Sequence, residues 1–193
     1  MVNIRQHMNG TTDTCTFRNE TLTDDDIEYI TLNLPSTCRY LRFSSTKLSE
    51  TAVSYIAENL LLRGNNFNLK SLSLYGTNLT DEGITNLCRA LIDGNNHQLQ
   101  SMDIELNNIT DVGAREIAKM LEVNQGLKRL DISYMNIGRE GIMHILTALE
   151  EKNRTLKTLD ITGSISTDEN INEIIQRIHE RVNVINMWPN HGQ

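Results

Sequence analysis

The chain has 193 residues, 38% of them apolar, and a formal net charge of −7 at neutral pH. That acidic balance argues against a general affinity for nucleic acid or an anionic membrane, so neither is expected as a partner. No stretch approaches the roughly 20 consecutive apolar residues of a membrane-spanning helix.

The opening residues lack the apolar core of a secretory signal. A cytoplasmic location is expected, with export lacking a cleaved signal, for example into a host cytosol, as the alternative. The three cysteines stand at irregular spacing and indicate neither a disulfide framework nor a zinc set.

Residues 1–11 read as a flexible N-terminal segment, and a degenerate repeat follows from Thr12, with Cys15 and Phe17 at its fourth and sixth positions. The next unit starts at Cys38 and carries Leu41 and Phe43 in those places. Four more open with L-x-x-L-x-L or a close variant, from Leu69, Leu99, Leu127 and Leu156, in steps of 30, 28 and 29 residues. Alternation over the first six positions predicts a short strand. Beyond the eleventh position the period becomes helical. Ile27, Ile30 and Leu34 in the first unit become Ile84, Leu87 and Leu91 in the third and Ile171, Ile174 and Ile178 in the sixth. Spacings of three and four set these on one helix face.

Thr23, Ser49, Thr80 and Thr110 precede the helices as capping residues. Asp24, Glu50, Asp81 and Asp111 follow, where the helix dipole favours an acid. Pro35 is expected to stop the first helix. At the far end Val182–Trp188 falls where a seventh strand would start. This stretch reads as an aborted repeat within a C-terminal cap at 179–188, with Trp188 covering the last layer and 189–193 as a tail.

A repeat of this length cannot bury its own apolar face and must stack on neighbours, which makes the fold class an α/β solenoid of about six units. Strand–helix–strand crossovers of this kind are right-handed. The openings, the helix leucines, and Gly83, Gly113 and Gly141 at the fifteenth position resemble the ribonuclease-inhibitor type of leucine-rich repeat over roughly residues 12–188. The brevity of the array is similar to leucine-rich-repeat effectors of intracellular bacteria.

The resemblance implies a horseshoe arc with parallel strands on its concave face and helices on its convex face. At the ninth position the family has Asn or Cys, where this chain has Glu20, Thr46, Thr77, Asn107, Met135 and Ser164. The side-chain ladder beneath the turns is therefore expected to be incomplete.

No phosphate-cradling glycine loop, H-E-x-x-H or G-x-S-x-G occurs, and the histidines share no repeat position. His144 reads as a solvated helix residue, and Cys15, Cys38 and Cys88 as small buried hydrophobes. No catalytic residue, metal or cofactor is expected.

The informative residues are those at strand positions three, five, seven and eight, which should face the concave side. Among them Arg18, Tyr40, Arg42, Tyr75, Asp103, Glu105, Leu106, Arg129, Asp131, Tyr134 and Asp160 are the candidate partner-binding set. Large side chains among small polar neighbours suit protein recognition. The acids of the last three units form a ladder at the roughly 4.8 Å strand spacing, which Arg129 partly neutralises.

The function expected is a non-catalytic protein-binding module, monomeric when unbound, that grips a folded protein partner, most concretely an enzyme it inhibits or regulates. The alternatives are an activator of a small GTPase, similar to the Ran GTPase activator, and a recruitment adaptor for ubiquitin ligation.

Overall fold

A computed structural model describes residues 4–8, 13–64, 68–94, 98–164 and 169–186. Seven strands form one parallel sheet in chain order: β1 Thr14–Arg18, β2 Tyr40–Ser44, β3 Ser71–Tyr75, β4 Ser101–Asp103, β5 Arg129–Asp131, β6 Thr158–Asp160 and β7 Asn183–Ile185. A short turn of helix, α1 (Ile4–His7), precedes β1. The crossovers contain α2 Asp24–Asn33, α3 Glu50–Tyr55, α4 Asp81–Asp93, α5 Asp111–Val123, α6 Arg139–Glu151 and α7 Glu169–Ile178. The fold is a leucine-rich-repeat α/β solenoid.

Strand registers follow the repeat arithmetic, pairing Leu41 with Leu72, Leu72 with Met102, Met102 with Leu130 and Leu130 with Leu159. The fourth and sixth side chains of each strand segment point inward and meet the helix stripe. Leu72, Leu74, Ile84 and Leu87 in the third unit are all fully buried. The seventh segment does form a strand, pairing Val184 with Leu159, while Trp188 lies outside the described residues. In the first layer Phe17 stacks on Phe43 with centroids 5.3 Å apart, and the His7 ring lies 5.1 Å from Phe17. Residues 4–8, within the stretch expected to be flexible, thus lie against β1, and Ile4 and Met8 pack on the core.

One helix departs from the expected three α-turns. After Tyr55 the chain continues as a π-helical segment, Ile56–Leu62. π-turns absorb an extra residue inside a helix, and this unit runs 31 residues from Cys38 to Leu69. The wider turn keeps Ile56, Leu60 and Leu61 buried and also brings Asn59 inside. Its amide is satisfied there by donating to the Thr31 hydroxyl of α2 at 3.0 Å.

The units are joined by carboxylates. The acid after each capping residue reaches beyond its own helix to the start of the next one. Asp81 accepts from the Thr110 and Gly113 amides at 2.9 Å each and from the Thr110 hydroxyl. Asp111 accepts from the Gly138 and Gly141 amides. It thereby caps α6, whose own N-cap is a glycine without a side chain.

The glycines of the fifteenth position make room for this approach. A Cβ on Gly113 would lie 2.5 Å from Asp81 Oδ1, and one on Gly141 2.6 Å from Asp111 Oδ1. Ser49 donates likewise to Asp24, and Thr80 to Glu50.

At the ninth position Asn107 accepts from the Thr77 and Leu79 amides and donates to the Leu74 and Ile104 carbonyls. Thr46, Thr77 and Ser164 supply hydroxyls that donate to the Phe17, Leu74 and Ile132 carbonyls. Met135 is buried in the same slot and breaks the ladder, and at its first position the Glu20 carboxylate pairs with His7 at 3.1 Å.

Candidate functional site

Side chains of five successive strands line a hollow of about 530 Å³ on the concave face. Its floor is made of small residues, Ser71, Ser73 and Ser101, with Arg18, Arg42, Tyr75, Asp103 and Arg129 around it. Small residues at the third and fifth positions of the middle units create the depression. The candidate list overlooked these serines, although the same spacing that found the tyrosines contains them.

Of the candidate residues, Arg18, Arg42 and Arg129 are exposed, and Tyr40, Leu106 and Tyr134 are 38%, 46% and 46% exposed. Tyr75, Asp103, Glu105 and Asp160 are half-buried. Asp131 lines the concave hollow, as its strand position requires, yet retains only 7% exposure. One of its oxygens accepts from the Ser133 amide at 3.2 Å and hydroxyl at 2.7 Å, and the other from Arg129 at 3.1 Å.

The acidic ladder has a structural origin. Asp103, Asp131 and Asp160 stand side by side in the strand register. Each accepts the amide two residues onward, at Glu105, Ser133 and Thr162. Units with Thr16, Arg42 or Ser73 at that position have five-residue strands, whereas those with aspartate have three-residue strands. A short acidic side chain that hydrogen-bonds its own backbone two residues on competes with continued strand pairing.

Carboxylate oxygens of Asp103, Glu105 and Asp131 lie within 4.8 Å of one another, a grouping of metal-ligating type. Both oxygens of Asp103 and both of Asp131 already accept hydrogen bonds, from the Glu105 amide, Ser73 hydroxyl, Ser133 and Arg129. Partial burial raises the Glu105 carboxyl above its ordinary range, and the neighbouring Asp131, Asp103 and Asp160 charges push it further. At the basic end, Arg18 and Arg42 carry no ion-pair partner among the described residues.

The groups with nucleophilic or acid–base character lie elsewhere. Burial, aided by the Glu116 charge, pushes the Cys88 thiol far up, the opposite of what a nucleophile needs. His144 sits on α6 with its ring 3.6 Å from Glu140. Cys15 and Cys38 are buried neighbours, and the hydrogen bond between them, followed by burial, raises the Cys15 thiol. No helix among the described residues is long and apolar enough to cross a membrane.

The leucine-rich-repeat family model matches residues 65–88 and 95–118, which span the third and fourth strands. No curated protein matches the chain. Among solved structures the chain is similar to leiomodin-1 actin-binding site 2, with a TM-score of 0.66 and 20% identity, over 84% of this chain and 90% of that one. It is also similar to the tropomodulin C-terminal domain of Caenorhabditis elegans, with a TM-score of 0.57 and 16% identity, over 92% of both chains. At such identities the likeness is one of fold.

Proposed function

We propose that residues 12–188 form a non-catalytic protein-binding module whose concave face holds one folded partner and regulates it. The observation that carries this reading is the serine-floored hollow of about 530 Å³. It is rimmed by long side chains that the fold does not require, Arg18, Arg42 and Tyr75. Arginine and tyrosine are the residue types that dominate binding energy at interfaces, where pockets desolvate them. Repeat length and Gly83, Gly113 and Gly141 support the ribonuclease-inhibitor type of repeat, in which enzyme inhibition is the concrete role. The work then belongs to the cytoplasm or a host cytosol.

The likeness to leiomodin-1 actin-binding site 2 favours a second partner class and makes monomeric actin the first pure protein to try. The deciding experiment is photo-cross-linking with the reactive group placed at Tyr40 or Tyr75 and, as the convex control, at Arg89. Adducts to one partner from the strand positions alone are expected. Adducts from Arg89 alone would move the interface to the helices.

A further inference from the structure

The residue at the eighth position of every unit, just past the strand, has a left-handed backbone. It is Asn19 (φ 53°), Ser45 (51°), Gly76 (59°), Leu106 (56°), Tyr134 (52°) and Gly163 (73°). Its amide donates to the seventh-position carbonyl of the next unit, from Leu106 to Ser133 and from Tyr134 to Thr162. The conformation is thus imposed by stacking. Glycine adopts it freely and asparagine tolerates it. Leucine and tyrosine do not, and a bulky residue there is strained. Both are also 46% exposed, so neither strain nor exposed apolar area is offset by full burial. Two residues that fold stability disfavours twice over sit in adjacent units, one strand spacing apart.

We propose that Leu106 and Tyr134 are the apolar anchor of an interface on the edge of the arc, and that the partner segment seated there presents apolar side chains flanked by lysine or arginine. This deepens the protein-binding reading above and rests on it. The basic character follows from the charges beside the anchor. Glu105 adjoins Leu106 in sequence, Asp103 lies on β4, the strand that leads into Leu106, Asp160 lies on β6 beside the strand of Tyr134, and Arg129 is paired with Asp131 at 3.1 Å. Tyr134 is also held in place. Its ring lies over Gly163, where an added Cβ would come within 2.7 Å of the Tyr134 ring, so little side-chain freedom is left to lose on binding.

The test uses the full chain and a short peptide of two leucines flanked by lysines, with a glutamate-flanked peptide as comparison. Binding is followed by amide shifts in NMR titrations. The lysine peptide is expected to shift residues 104–108 and 132–136, and the glutamate peptide is not. The Leu106→Gly, Tyr134→Gly double variant should bind about tenfold more weakly or worse. Its melting temperature should stay within about 2 °C of the parent or rise, because relief of left-handed strain offsets lost packing. Leu32→Ala, at an equally exposed leucine on α2, should change nothing.

Failure of the lysine peptide to bind at this edge, equal binding of the glutamate peptide, or undiminished binding by the double variant would overturn the proposal. So would a fall in melting temperature beyond about 2 °C, which would assign the two side chains to the fold. Cross-linking from Tyr40 and Tyr75 that persists alongside such a failure would leave the concave reading standing.

Discussion

Glu105 lies where the carboxylates of β4 and β5 converge, and its titration reports the strain of that convergence. Its folded carboxyl is raised, first by desolvation and then by Asp131, Asp103 and Asp160. The folded protein therefore holds this proton more tightly than the unfolded chain does. Stability from the neutral group is fully present below the unfolded range and is lost as pH rises through the folded one. Charged Glu105 is thus a cost at neutral pH. Glu105→Gln should raise the melting temperature at pH 7 and leave it unchanged well below the carboxylate range, as thermal melts at the two pH values would show. An equal gain at both would remove the charge explanation. Asp131, in the same ladder, is held instead by hydrogen bonds. Its oxygens are satisfied by Ser133 and Arg129, so Asp131→Ala should cost about 2 kcal/mol by orphaning buried donors. A urea midpoint unmoved by that change would show the turn to be self-sufficient.

At the scale of the elements, each helix start is assembled from two units. α6 begins on a glycine and is capped by Asp111, which belongs to α5. Removing that carboxylate in Asp111→Ala is expected to cost about 1–3 kcal/mol. Gly141→Ala should cost a similar amount, since its Cβ would meet Asp111 Oδ1 at 2.6 Å, Ile137 Cγ2 at 2.7 Å and Ala114 Cβ at 2.8 Å. The two changes should not add. Without the Asp111 carboxylate one of the three obstructions is gone, so the double variant should lose less than the sum of the singles. Urea unfolding of the four-member cycle measures this, and strict additivity would mean that glycine serves only the helix–strand contacts.

This is also where sequence reading reached its limit. The capping residues, the acids and the glycines were each visible at fixed repeat positions. Their joint purpose was not, because each acid acts about 30 residues away, across the stacking interface. The apolar faces were legible because burial imposes a period on the chain. Strand length was not legible, since it turns on whether an aspartate at the fifth position captures the amide two residues later. The left-handed eighth position was within reach, because Asn19, Gly76 and Gly163 all occupy it. Leu106 and Tyr134 masked it.

Across the whole molecule, charge is sorted along the sheet. Arg18 and Arg42 project from β1 and β2, while Asp103, Glu105 and Asp160 lie at β4 to β6. The aspartates of the acidic half also hold their own turns, so their charge serves the fold as well as a partner. The basic half is the better probe. Both arginines are exposed, border the hollow and have no ion-pair partner among the described residues, and nothing in the fold consumes their charge. A partner drawn to this end must bring acidic groups, and complementary fields of this kind mainly accelerate association and fix orientation. The Arg18→Glu, Arg42→Glu variant should therefore melt like the parent. It should associate more slowly with the captured partner, and its dissociation rate should change much less. The difference in association rate should shrink between 0.1 M and 1 M salt, as the screening length falls from about 10 Å to about 3 Å. Stopped-flow association at both salt concentrations is the measurement. An unchanged association rate would confine recognition to the acidic half and the Leu106–Tyr134 edge. A faster dissociation at all salt concentrations would instead make the two arginines direct contacts within the bound interface.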